Sequence, residues 1–319
     1  MSIASEYKII FQREVATNAN NLIRFYTPIS DTHEFHPLSH NCTATCPRMC
    51  ADTCHTKLGE LMRKNLVYYC YGEDEIVQKT NSGLFTDLEK AAIYAYENRL
   101  PKRAFNQDGL PGEVLLDLLV QIHEPDAYKL AVRAILRQDD NNEIKGYDLT
   151  YFSVSNGNVS LWLGQAKMGS KDYCKRGIRS DLLEKFTQEY LSRQIYFLAD
   201  KQAGITDEGK KITDAINALN MYTHGVNAKD RAKALVDYFA RNSIYVYIPC
   251  LLAYGEGSVY TDKDSVVQAI DAELVQMRKY FLANNYLFDG FEPRIIFFIF
   301  PIKDLAKLRS KGGFYCGLR

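Results

Sequence analysis

KGYDLTYFSVSNGNVSLWLGQAKMGS, residues 145–170, is the stretch from which the fold is read. Tyr147–Val154 and Val159–Lys167 each read as a strand, and the SNGN turn at 155–158 joins them. Asn-Gly supplies the positive φ that a tight hairpin turn needs, so the two strands pair antiparallel. Asp148 and Gln165 are 165 − 148 = 17 residues apart, one strand, one turn and one strand back. A hairpin of that size brings the Asp148 carboxylate beside the end of the second strand. Gln165 and Lys167 are two apart and leave the same strand face.

Working outward, Gly109, Pro111 and Gly112 break the chain, and Glu113–His123 reads as an apolar helix with Glu113 in its first turn. Tyr128–Arg137 is a strand candidate, followed by the polar loop DDNNE at 139–143. Asp87–Arg99 reads as a helix with Thr86 as its cap and Pro101 as its stop. Further toward the N-terminus, Tyr7–Phe11 alternates like a strand, and a helical pattern runs from Pro47 toward Leu66. Downstream, Leu182–Ala199 reads as one long amphipathic helix and Glu208–Phe239 as a further helical stretch. Two very apolar runs, Ile244–Tyr254 and Arg294–Ile302, flank a helix at Ser265–Ala283. Continuous apolar strands alternating with helices predict an α/β fold whose central sheet is covered on both faces.

A chain of 319 residues allows one elaborated domain or two ordinary ones. Hydrophobic residues at 46% and charged residues at 24% exclude extensive disorder. The 39 Lys+Arg balance the 39 Asp+Glu, which argues against a uniformly basic nucleic-acid surface and leaves room for a local basic cleft. No apolar run approaches the roughly 18 residues of a spanning helix. Met1–Tyr7 lacks the charged-then-apolar order of a signal peptide. The expectation is a cytoplasmic protein with no membrane partner, whose eight cysteines are thiols or metal ligands. No GxxxxGK[ST] loop is present, so any ATP-driven step must come from a partner. His123 and His224 are isolated and carry no motif.

Glu113, Asp148, Gln165 and Lys167 together suit metal-assisted phosphodiester hydrolysis. Carboxylates and carbonyl-type oxygens hold Mg²⁺, a hard cation. A lysine beside them orients the attacking water and stabilises charge developing on phosphate. Taken singly, each residue has an ordinary reading. Gln-x-Lys can be a solvated strand edge, Asp148 turn chemistry, and Glu113 a first-turn carboxylate that favours the helix dipole. Their joint order on the right elements is what points to a site. The run KDYCKRGIRSD (171–181) follows directly, and Lys171, Lys175, Arg176 and Arg179 are either phosphate contacts or a solvated helix entry.

This order, helix-Glu, strand-Asp, strand-(Glu/Gln)-x-Lys, resembles the PD-(D/E)xK nuclease superfamily. PGEVLLDLLVQI (111–122), KGYDLTYFSV (145–154) and LWLGQAKMGS (161–170) resemble the HamA family, the nuclease component of the Hachiman anti-phage defence system. The likeness is clearest from Gly83 to Tyr190. It implies a restriction-endonuclease-like α/β fold, a mixed central sheet flanked by helices. It also implies DNA cleavage with Mg²⁺ or Mn²⁺ and a HamB-like helicase partner that controls access to DNA. Carried over, Asp148 and Gln165 bind the metal with the Ala166 carbonyl, Glu113 completes or tunes the acidic site, and Lys167 positions water. Gln165 departs from the usual Glu and removes one negative charge, although Mrr-like restriction enzymes use a Gln-x-Lys version. A rival reading is a catalytically silent subunit that binds DNA or the helicase as a scaffold.

The expected organisation is an N-terminal extension at 1–80 with a Cys/His-rich segment, HEFHPLSHNCTATCPRMCADTCH (33–55), and a PD-(D/E)xK-like nuclease domain at 81–319. Cys42, Cys46, Cys50 and Cys54 recur every four residues among His33, His36, His40 and His55. On one straight helix they would span about 18 Å, too far for Zn–S bonds of about 2.3 Å. A structural Zn²⁺ therefore requires a break, which Pro47 can supply. Small buried thiols on a helix face, or an Fe–S cluster, are the other readings.

Overall fold

The computed structural model describes residues 2–41, 53–101, 109–132, 146–155, 157–201, 207–262, 264–284, 286, 288 and 290–318. The chain enters through α1 (Ile3–Phe11), a π-helical turn at Gln12–Ala16 and α2 (Thr17–Leu22). It continues through β1 (Ile23–Phe25), β2 (Ile29–Ser30) and β3 (Glu34–His40) into the helices α3 (Cys54–Cys70), α4 (Glu73–Asn81), α5 (Leu88–Arg99) and α6 (Leu110–His123). Then come β4 (Tyr128–Lys129), β5 (Leu149–Ser155) and β6 (Asn158–Gly169), followed by α7 (Lys171–Glu184), α8 (Gln188–Lys201), α9 (Asp207–Tyr222) and α10 (Ala228–Arg241). The final elements are β7 (Ile244–Gly255), a 3₁₀ turn at Gly257–Tyr260, α11 (Val266–Leu282), β8 (Arg294–Ile302) and α12 (Leu305–Leu308).

The hairpin sits where predicted. β5 and β6 pair antiparallel from Leu149 opposite Gly164 to Ser155 opposite Asn158, with Gly157 at φ 80° in the turn. The sheet order is β1-β3-β8-β7-β6-β5-β4, with β2 also on β3. β3, β8, β7 and β6 run parallel, and β5, β4, β1 and β2 are antiparallel to their neighbours. The mixed α/β sheet expected from the sequence is therefore present, flanked by helices.

Both faces are covered, and the strands show why. Along β7, Val246, Ile248, Cys250, Leu252 and Tyr254 join one hydrophobic cluster with α7 to α11, while Leu251 and Ala253 join the other with α1 and α3 to α6. Along β8, Ile295, Phe297 and Ile299 face the first group and Ile296, Phe298 and Phe300 the second. A strand buried on both sides reads as an unbroken apolar run. α6 is enclosed: residues Leu110 to Gln121 are all buried, between the sheet and α3. Its Asp117 is satisfied there by Asn65 Nδ2 (2.9 Å), Gln121 Nε2 (2.8 Å) and Tyr151 OH (2.6 Å).

Residues 1–80 share this sheet and core. β3 is a strand of the main sheet, and α1 and α3 contribute Tyr7, Phe11, Leu61, Met62 and Leu66 to the same cluster as α6. Tyr7–Phe11 is helix, not strand. Tyr7, Ile10, Phe11 and Val15 are buried and Ile9 is exposed, a 3-4 spacing that outweighs the short alternation. Leu182–Ala199 is not one helix. α7 ends where Tyr147 OH donates to the Lys185 carbonyl (2.9 Å), and Thr187 Oγ1 accepts from Tyr190 N (3.3 Å) to start α8. The Glu208–Phe239 stretch likewise divides at Gly225 (φ 86°), with Asn227 capping α10 through Asp230 N. Tyr128–Arg137 begins as β4, and its residues beyond Val132 lie outside the described set, as do Cys42, Cys46 and Cys50. Among the described residues, no helix is long and apolar enough to cross a membrane.

Candidate active site

β5 and β6 place three of the four expected residues on one face. Gln165 and Lys167 alternate with Ala166 and Met168, which face α6, so the former pair faces α7. Asp148 precedes β5, its backbone N–H bonded to the Gly164 carbonyl (2.9 Å). Its Oδ2 accepts from the Ala166 N–H at 2.8 Å, which fixes the carboxylate across the strand end between Gln165 and Lys167. Asp148 and Gln165 are both buried, Gln165 completely.

Helix α7 crosses this face and adds two groups. Asp181 is ion-paired with Lys167 Nζ through Oδ2 and with Lys185 Nζ through Oδ1 (3.1 Å). Lys185 Nζ also donates to Gln165 Oε1 at 2.7 Å. The Gln165 Nε2 donor is buried without an acceptor among the described residues. Burial works to lower the Lys167 pKa, but the Asp148 charge, then the Asp181 charge and hydrogen bond, outweigh it and hold the ammonium above its ordinary value. Lys167 is therefore a fixed cation. Its stem lies against Gly177 of α7, where a Cβ would stand 2.8 Å from Lys167 Cε. Two carboxylates and two ammonium groups thus balance around a neutral amide.

Glu113 stands on the other side of β6. Gly112 packs α6 against Met168 and Ala166, so Glu113 lies at the same end of the sheet, and its Oε2 accepts from Tyr69 OH of α3 at 2.6 Å. The close packing of α6 rests on Gly164, where a Cβ would meet Leu116 Cδ2 at 2.8 Å.

Asp181 and Lys185 were not singled out from sequence, although a signal existed. Cys174, Ile178 and Leu182 are the buried stripe of α7, and Asp181 and Lys185 fall beside it at helical spacing. A carboxylate on an inward stripe asks for a partner. Within the basic run, the two lysines are already ion-paired. Lys171 is committed to Glu273 (2.8 Å) and Glu256 (3.2 Å), and Lys175 pairs with Asp172 (2.9 Å). Arg176 and Arg179 are exposed. The neighbouring thiol of Cys174 is pushed up to about 12, chiefly by burial, and is chemically inert.

With this geometry in place, comparison with protein families is decisive: the HamA family model matches residues 21–316. The chain belongs to the HamA family. The match begins before β1 and ends beyond β8, so it takes in strand β3 and the α3 layer as well as the Asp148–Lys167 hairpin. Membership makes the protein a component of Hachiman antiviral defence. A search of curated proteins found no match.

Proposed function

We propose that this HamA-family protein is a metal-dependent DNA nuclease, the effector of a two-component defence system whose other member is a helicase. The observation that carries the reading is the convergence of Asp148, Gln165 and Lys167, from two paired strands, with Asp181 of the covering helix. The order helix-Glu113, strand-Asp148, strand-Gln165-x-Lys167 supports a restriction-endonuclease-like arrangement of the sheet.

The donor set fits a hard divalent cation. Asp148, Asp181 and the Gln165 amide offer carboxylate and carbonyl oxygens, which Mg²⁺ or Mn²⁺ prefers. Asp148 and Gln165 would hold the ion, with Glu113 tuning the charge from α6. When bound, it would supply charge neutralisation at phosphate and a more acidic water. The protein's own groups do the rest. The Ala166 N–H orients Asp148, and Asp181 aims the Lys167 ammonium, whose positive charge stabilises the phosphate as it gains negative charge. Lys185 must release Gln165 Oε1 for that oxygen to serve a cation, and Asp181 stands ready to keep Lys185. The unmatched Gln165 Nε2 would gain an acceptor from a phosphate oxygen or water entering the cluster.

Such a nuclease harms its host when unregulated, so the helicase partner restrains it until foreign or damaged DNA appears. The reading is tested by incubating supercoiled plasmid with the protein, alone and with its helicase partner, in Mg²⁺ or Mn²⁺. Cleavage should appear with metal and fall by about 10²–10³ in Lys167→Ala. Activity indifferent to both metal and Lys167 would favour the silent scaffold.

A further inference from the structure

At the far end of α6, a second cluster of ligating groups lies outside the site above. Glu34 and His36 are two apart on β3 and leave the same face. His123 closes α6, 123 − 113 = 10 residues and about 15 Å along the helix from Glu113. One ligand-capable atom from each of the three residues falls within 4.8 Å of the others. His36 Nε2 is 3.2 Å from Glu34 Oε2, and the two imidazole centroids are 4.8 Å apart, edge to face. Phe298 and Trp162 wall the rings, at 5.6 and 6.1 Å from His123. Glu34 is partly open to solvent.

His36 is buried and His123 partly buried, so neither ring is fully hydrated. Burial lowers the His36 pKa against the pull of Glu34, and burial with His36 nearby takes His123 down to about 4. Neutral imidazole is the form that ligates a metal. Bonds of about 2.0–2.2 Å put tetrahedral ligand atoms roughly 3.3–3.5 Å apart, so small side-chain rotations close the present spacing.

We propose that Glu34, His36 and His123 form a site for one zinc-class divalent cation, with a fourth position open on the Glu34 side. Two nitrogens and one carboxylate oxygen suit a borderline cation such as Zn²⁺ rather than Mg²⁺, and they include no thiolate. Binding exchanges the His36–Glu34 hydrogen bond for metal bonds and ties the N-terminal strand β3 to the C-terminus of α6. The site is separate from the proposed nuclease centre and independent of it.

The test uses the full chain, stripped with chelator, with Co²⁺ as the probe and Zn²⁺ as competitor. A cysteine site reports itself by thiolate-to-cobalt charge-transfer absorption, which a His₂Glu site lacks. One Co²⁺ is expected with visible ligand-field bands and no thiolate band, displaced by Zn²⁺. Affinity should fall at least about 100-fold in Glu34→Gln and in His123→Gln, beyond the roughly 10–100-fold typical of losing only a supporting hydrogen bond. It should persist when Cys42, Cys46, Cys50 and Cys54 are all serine. Glu34 is partly exposed, so its variant folds even if His123→Gln proves unstable by circular dichroism. The proposal is overturned if no metal is taken up at micromolar concentration, if uptake is unchanged in Glu34→Gln, or if uptake carries a thiolate band and vanishes with the cysteines.

Discussion

Gly177→Ala separates the position of Lys167 from its chemistry. Gly177 lies within α7, and an added Cβ would be 2.8, 3.0 and 3.1 Å from Lys167 Cε, Cδ and Cγ. Ordinary carbon contacts are about 3.5–4.0 Å, so the lysine stem must retreat by about 1 Å. Alanine gains about 1 kcal/mol over glycine inside a helix. Displacing the lysine from its rotamer costs about 0.5–1.5 kcal/mol. The two nearly cancel, and stability should change by no more than about 1 kcal/mol. Activity should not be spared, because a misplacement of about 1 Å costs on the order of 10² in rate. Urea unfolding and single-turnover plasmid cleavage, run on the same preparation, measure both quantities. Cleavage within about twofold of wild type, with unchanged stability, would refute positioning of Lys167 by α7.

Three further outcomes follow from other parts of the fold. His40 is buried, its Nε2 accepts from Lys303 N (3.2 Å), and burial, with Lys303 and His55, pushes its pKa down from 6.5 to about 4. The unfolded chain therefore binds more protons in this window, so His40's contribution is full above about pH 6.5 and is lost as pH falls toward about 4. At 1.36 kcal/mol per pKa unit this is about 3 kcal/mol, and His40→Gln should lose that much less between pH 7 and pH 4 in urea titrations. Gly164→Ala forces a methyl against Leu116 Cδ2 (2.8 Å) and Leu149 Cβ (2.9 Å) and should destabilise by about 1–3 kcal/mol, read as a lower urea midpoint. Gln165→Glu places a carboxylate 2.7 Å from Lys185 Nζ and adds a negative charge to a balanced cluster. The Mg²⁺ concentration for half-maximal cleavage should drop about tenfold, and an unchanged or higher requirement would remove Gln165 from the cation's surroundings.

Much of the sheet was legible because its signals are local. The Asn-Gly turn set the β5–β6 hairpin, and the apolar runs of β7 and β8 read as strands covered on both sides. The spacing of Asp148, Gln165 and Lys167 follows from that hairpin, so those three were readable before any tertiary contact was known. What escaped the sequence depends on distant partners. β3 pairs with β8, more than 250 residues later, and nothing in HEFHPLSH announces that pairing. Asp181 and Lys185 sit beside the apolar stripe of α7, but their partners Lys167 and Gln165 emerge only when α7 is laid on β6. His123 appeared isolated because Glu34 and His36 reach it only once β3 is paired into the main sheet.

The most direct measurement is cleavage of supercoiled and linear DNA by the wild-type complex across a Mg²⁺ and Mn²⁺ series, beside Asp148→Ala and Lys167→Ala. The nuclease reading predicts metal-dependent cutting that both substitutions reduce by at least about 10² while the complex with its helicase still forms. Absence of cutting under every condition, with phage protection undiminished in both variants, would contradict it.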